Sequence, residues 1–199
     1  GVNRFVDPNF ASLQFCENDV RLLGATLRSL GYTVNILPDT SAEHRLIANL
    51  DNVESELQHM CSAAEQNDLL WVHFSCHGLV MDGDPVLILN NTRRNLPRSA
   101  LRIRDVERIL KGSRARRRIL TLDACHIGIT RGDDEEAALF LRNAFELAEG
   151  TVCIAATAST QKAHESKDVQ MGIFTYYMVQ GLRGEAAREI AGKSIVTVD

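Results

Sequence analysis

The sequence predicts an α/β fold with a mainly parallel central sheet and helices on both faces. Three observations carry this. Apolar runs of strand length alternate with amphipathic stretches in which apolar residues return every three or four positions. Such alternation is the signature of strands joined by covering helices. With 199 residues, 45% of them hydrophobic and 24% charged, the chain can bury one substantial core.

The elements follow in order. The opening "GVNRF" reads as the exit of a strand. A helix is expected from Asn18 to Leu30, stopped by Gly31, and a strand from Tyr32 to Leu37. Asp51 and Asn52 are candidate caps for a helix from Val53 to Gln66. A strand from Asp68 to Cys76, a helix from Ile103 to Leu110 and a strand from Arg118 to Ala124 come next. The second half predicts a helix from Glu135 to Ala148, a strand from Thr151 to Ala156, a helix from Phe174 to Leu182 closed by Gly184, and a strand from Ser194 to Val198. Both ends look like interrupted strands, so residues 1–199 are expected to form one domain of a longer chain.

Composition narrows the partners. The formal net charge is −4, and no aromatic residues interleave the basic run at Arg114, Arg116, Arg117 and Arg118, which argues against a nucleic-acid surface. No run of 18 apolar residues and no secretion leader can be read, so no membrane partner is expected. The five cysteines are odd in number and form no Cys-x-x-Cys pair, which points to a reducing, cytoplasmic setting.

In open parallel sheets, chemistry gathers beyond the carboxyl ends of strands. "LLWVHFSCHG" places His77 and Gly78 just past one strand, and "RRILTLDACHIG" places Cys125 just past another. On neighbouring strands, imidazole and thiol would face one crevice. A thiol with a pKa of about 8.5 is only partly ionised at neutral pH; an adjacent imidazole can remove its proton and later protonate a leaving amine. Gly78, without a side chain, would let its N–H approach a developing oxyanion. Position alone fits equally well a buried strand-end thiol and a turn histidine.

Three more residues bear on that choice. Asp19 stands at a predicted helix N-terminus, where its ordinary role is capping. Asp123 lies two residues before Cys125, and Ser75 two before His77, so each shares a strand side with its partner. Together the two carboxylates suggest a crevice that welcomes a guanidinium or ammonium group.

The pair "FSCHG" and "LDACHIG", about 50 residues apart, resembles the caspase-like cysteine proteases of peptidase family C14, and its wording resembles metacaspases and prokaryotic orthocaspases. "FCENDVRLLGATLRSLGYTVNILPD", "ASTQKAHES", "GIFTYYMVQGLRGEA" and "GKSIVTVD" extend the resemblance over most of the chain. It implies the caspase-hemoglobinase fold, His77 as general base and Cys125 as nucleophile, with Gly78 and Cys125 N–H groups as oxyanion donors. It also implies that Cys16, Asp19, Ser75 and Asp123 form the pocket for the residue before the scissile bond. The implied substrate is a protein or peptide cleaved after arginine or lysine, since two carboxylates repel an acidic side chain. Self-cleavage after Arg131, with Arg93 and Arg94 as further sites, and an activating protein partner in a prokaryotic signalling or defence pathway belong to the same expectation.

Ile127 departs from the serine of many relatives. Asp82, Asp84, Asp133, Asp134 and Glu135 do not reproduce the family's calcium spacing, so no cofactor is expected and calcium dependence stays open. Two other classes are a catalytically silent caspase-like scaffold and a flavodoxin-like regulatory or nucleotide-binding domain; the latter needs a glycine-rich loop after the first strand, and "NRFVDPNFASLQFCEN" shows none.

Overall fold

The computed structural model describes residues 1–126, 140, 142, 151–156, 165–190 and 192–195. Its centre is a five-stranded mixed sheet of order β3-β2-β1-β4-β5. The strands are β1 (Leu69–Met81), β2 (Asp84–Ile88), β3 (Leu101–Arg102), β4 (Arg117–His126) and β5 (Val152–Ala155). β1 and β5 flank β4 in parallel, whereas β2 and β3 add antiparallel strands at the β1 edge. Two short hairpins follow, β6 (Glu165–Ser166) with β7 (Met171–Gly172), and β8 (Arg188–Ile190) with β9 (Lys193–Ile195).

The two faces of the β1–β4 ladder differ in chemistry. Leu70, Val72, Phe74 and Cys76 of β1, with Leu120 and Leu122 of β4, are buried in one apolar cluster. Against them pack α2 (Leu50–Ala63) through Val53, Leu57 and Cys61, and α3 (Ile103–Lys111) through Val106 and Leu110. The alternate positions Trp71, His73, Ser75 and His77, with Thr121 and Asp123, belong to the other face, because side chains alternate along a strand. That face is covered by α1 (Cys16–Ser29) and α4 (Ile173–Gln180), which meet around Leu23, Leu27, Met171 and Val179.

Most predicted elements form, with shifted bounds. β1 and β4 run further than expected, to Met81 and His126, because β1 continues into a hairpin with β2. The turn between them is Asp82-Gly83, both with positive φ, the backbone a tight hairpin needs. Asn49, not Asp51 or Asn52, caps α2, its side chain accepting the Asn52 N–H at 2.9 Å. Gly31 ends α1 at φ +90°, as its position predicted.

Residues 32–37 form no strand. They line, with Val72 and Phe74, a cavity of about 830 Å³, and none of the described strands pairs with them. Of the helix expected from Glu135 to Ala148, only Phe140 and Arg142 are described, both helical. The last predicted strand is realised as β9, and residues 196–198 lie outside the described residues. No helix among the described residues is long and apolar enough to cross a membrane.

Candidate active site

The β1–β4 register builds the site. Ser75 lies opposite Asp123, His77 opposite Cys125, and Gly78 opposite His126. His77 and Cys125 were expected just past their strands; both lie inside the ladder, because the strands continue beyond them. Backbone pairing rather than loop conformation therefore fixes their spacing. For Cys125 the described geometry is that of its backbone.

His77 is buried, and its Nε2 lies 2.7 Å from the carbonyl oxygen of Ala11. A carbonyl only accepts, so Nε2 carries the hydrogen and the neutral ring keeps its lone pair on Nδ1. The Phe5 ring stacks on the imidazole, with centroids 5.0 Å apart and planes 25° apart. The segment leading from Ala11 into α1 is held in turn by Glu165 of β6, which accepts the Gln14 and Phe15 N–H groups at 2.9 and 2.7 Å. Gly78 is closely packed: a β-carbon there would lie 3.0 Å from Phe140 Cζ and 3.1 Å from Ala124 Cβ.

The carboxylates meet beside this pair. Asp19 belongs to the buried stripe of α1 that also contains Cys16, Leu23, Thr26 and Leu27, so the helix period carries it into the core. It does not cap the helix. It accepts the Ser75 hydroxyl on Oδ2 at 2.7 Å and the Gly172 N–H on Oδ1 at 2.8 Å. Asp123 Oδ2 accepts the Thr175 hydroxyl at 2.6 Å and the Thr175 N–H at 3.2 Å. A β-carbon on Gly172 would collide with Asp123 Oδ2 and stand 3.1 Å from Asp19 Oδ2. Both acids thus converge on one glycine. Cys16 sits one turn before Asp19, buried at the first position of α1.

Burial controls the charge of this pair. Asp19 and Asp123 are only 1% and 2% exposed. Burial pushes the Asp19 carboxyl up to about 7; the Ser75 and Gly172 bonds oppose the shift, and the charges of Asp123 and Glu165 add to it. Asp123 is raised as well, first by burial and further by Glu165, against the two Thr175 bonds. Near neutral pH the pair therefore carries less than two full negative charges.

The structure brings Asp19, Ser75, Asp123, His77 and the Cys125 backbone to one face of one ladder. It adds residues the sequence reading left without a role: Ala11, Phe5, Glu165, Gly172, Thr175 and His73. Strand alternation already points to His73, two residues before Ser75; the others come from distant segments and carry no local signal. Among the calcium candidates, Asp84 is paired with Arg102 at 3.5 Å and with Arg104, and Asp82 occupies the hairpin turn. No group of three or more His, Cys, Asp or Glu side chains suited to a metal occurs among the described residues. Asp133, Asp134, Glu135, Ile127 and Arg131 lie outside the described residues, whereas Arg93 and Arg94 are exposed.

Comparisons with known proteins bear on the family and the fold. The family model of the caspase domain, peptidase family C14, matches residues 1–197. No curated protein matches the chain. Among solved structures, protein GSU0716 from Geobacter sulfurreducens superposes with a TM-score of 0.67 at 17% identity, covering 92% of this chain and 79% of that one. At that identity the likeness establishes the fold. With the family model spanning nearly the whole chain, the protein belongs to the caspase-domain family of cysteine peptidases.

Proposed function

We propose that the protein is an endopeptidase that cleaves after arginine or lysine, with Cys125 as nucleophile and His77 as general base. The observation that carries this reading is the shared register: His77 and Cys125 stand opposite each other, two residues beyond Ser75 and Asp123. Two residues of strand span about 7 Å. An extended basic side chain bridges that distance from a scissile carbonyl at the dyad to the acid pair.

In this mechanism the Nδ1 lone pair of His77 takes the Cys125 proton, and the sulfur forms a bond to the scissile carbonyl carbon. The N–H groups of Gly78 and Cys125 donate to the oxyanion. Collapse breaks the C–N bond, and the imidazolium returns its proton to the leaving amine. Water then hydrolyses the thioester, releasing the acid and restoring the thiol. The Ala11 carbonyl keeps the ring in the required tautomer and stabilises the imidazolium by accepting from Nε2. Asp19 and Asp123 receive the guanidinium or ammonium group, giving up their excess proton as they do so.

Self-processing after Arg131, and triggering by a partner protein, extend the same reading. Purified protein assayed on peptides ending in arginine, lysine or aspartate tests it. Turnover of the basic peptides alone, with loss of at least about 10³-fold in Cys125→Ala, is the expected result. Equal activity in Cys125→Ala, or a preference for aspartate, overturns it; mass spectrometry of both proteins reports self-cleavage.

A further inference from the structure

Between α1 and α4, the polar face of the ladder holds a continuous hydrogen-bond chain. Trp71 Nε1 donates to Thr121 Oγ1 at 3.0 Å, and Thr121 Oγ1 lies 2.9 Å from His73 Nδ1. His73 Nε2 lies 3.4 Å from Thr175 Oγ1, the longest link, and Thr175 Oγ1 lies 2.6 Å from Asp123 Oδ2. Thr121 is fully buried and Thr175 likewise, so water does not replace these partners.

Ionised Asp123 fixes the direction of the chain, and a proton on its Oδ2 allows the opposite one. When Asp123 is ionised, the Thr175 hydroxyl must donate to it. His73 Nε2–H then donates to Thr175, its Nδ1 accepts from the Thr121 hydroxyl, and Trp71 donates to Thr121. When Asp123 carries a proton and donates it to Thr175, every link reverses up to Thr121. His73 becomes the Nδ1–H tautomer, and the Thr121 hydroxyl turns to the Val72 carbonyl, 3.3 Å away. A neutral imidazole is required in both states. Burial supplies it, pushing His73 down to about 3.

We propose that His73 and Thr175 are positioning residues for Asp123, and that this chain transmits the charge state of Asp123 to the indole of Trp71. Their bearing on specificity rests on the proposed arginine or lysine site; the chain itself does not. The charged or titratable groups facing it among the described residues are Asp19 on α1, Glu165 on β6 and Tyr32, whose ring lies edge-on to Trp71 at 6.3 Å. Asp19 touches Ser75 and Gly172 rather than the chain, which separates its titration from that of Asp123 by mutation.

Trp71 is the single tryptophan, so its emission reads the chain directly in the whole protein. Followed from about pH 4 to about pH 9 without substrate, wild-type emission is expected to show a transition. Asp123→Asn and Thr175→Val should flatten it, while Asp19→Asn should move its midpoint and keep its amplitude. A transition of wild-type amplitude in Asp123→Asn or Thr175→Val, or none in wild type, overturns the proposal. With arginyl peptides, Thr175→Val and His73→Phe should raise KM about tenfold, the loss falling on KM rather than kcat. His73→Gln, whose amide both donates and accepts, should recover part of that loss. An unchanged KM in Thr175→Val overturns the positioning role. If wild type cleaves no basic peptide, the proposed specificity fails, and the emission measurement alone decides the chain.

Discussion

The two faces of the β1–β4 ladder are built by alternate residues of the same strands, one position apart, yet they solve different problems. The Leu70, Val72, Phe74, Leu120 and Leu122 face is sealed by α2 and α3 through apolar contact, which is non-directional and stabilises in proportion to area. The Trp71, His73, Ser75, His77, Thr121 and Asp123 face lies under α1 and α4 as a hydrogen-bonded array. Each polar group there must find a partner in a fixed direction. The first face supplies folding energy. The second spends some of it holding two carboxylates out of water beside a neutral imidazole. A buried acid with a raised pKa weakens the fold, so its presence calls for a role that an apolar side chain cannot fill.

The comparison can be broken most severely at the acid pair. Asp19→Asn is expected to lower kcat/KM for arginyl peptides by about 10²–10³-fold, since a buried charge partner contributes about 3–4 kcal/mol to a bound cation. The same substitution should raise the melting temperature at pH 8. The folded Asp19 carboxyl titrates near 7, above its ordinary value, so the stability it contributes is present at low pH and is lost as pH rises from about 4 through about 7. Asparagine does not ionise and escapes that loss. For wild type, affinity for a basic substrate should rise over the same interval, because the ionised pair is the form that binds. A melting temperature at pH 8 lower than that of wild type contradicts the account.

The opposite face should answer in the opposite way. Leu122 is fully buried, and Leu122→Ala should cost about 2–5 kcal/mol of folding stability in denaturant titration. Activity per folded molecule should stay within about twofold, because the lost contacts lie on the side away from the dyad. A large fall in kcat with unchanged stability would erase the distinction between the faces.

The smallest effect is expected where the dyad leans on the amino-terminal segment. Phe5→Leu keeps an apolar contact but removes the ring stacked on His77, worth about 0.5–1.5 kcal/mol. A few-fold decrease in kcat should follow, with a shift of the acidic limb of its pH profile, where the general base is lost to protonation. Leaving both unchanged would show that the Ala11 carbonyl alone sets the ring.

Much of this was legible in the residues. "FSCHG" and "LDACHIG" each place a polar side chain two residues before a reactive one, and period 2 is a property of any strand, so Ser75 with His77 and Asp123 with Cys125 followed without coordinates. The α1 stripe was visible as helical periodicity. Position near a helix start gives its acidic member, Asp19, only the ordinary role of a cap, and the pocket role came from the family resemblance; the partners that draw Asp19 inward, Ser75 and Gly172, lie far along the chain. The predicted strand at residues 32–37 failed for a related reason: an apolar run reports burial, but a strand also needs a neighbour at hydrogen-bonding distance.

By itself, the sequence determined the alternation of elements, the candidate dyad, the paired carboxylates and the family resemblance, because each is written in spacing along the chain. Only the tertiary structure decided the register that sets His77 against Cys125, the Ala11 carbonyl that selects its tautomer, and the closure of α1 and α4 that buries both acids. Those features depend on which distant segments meet. Desolvation and hydrogen-bond direction, the forces that set protonation here, exist only once they do.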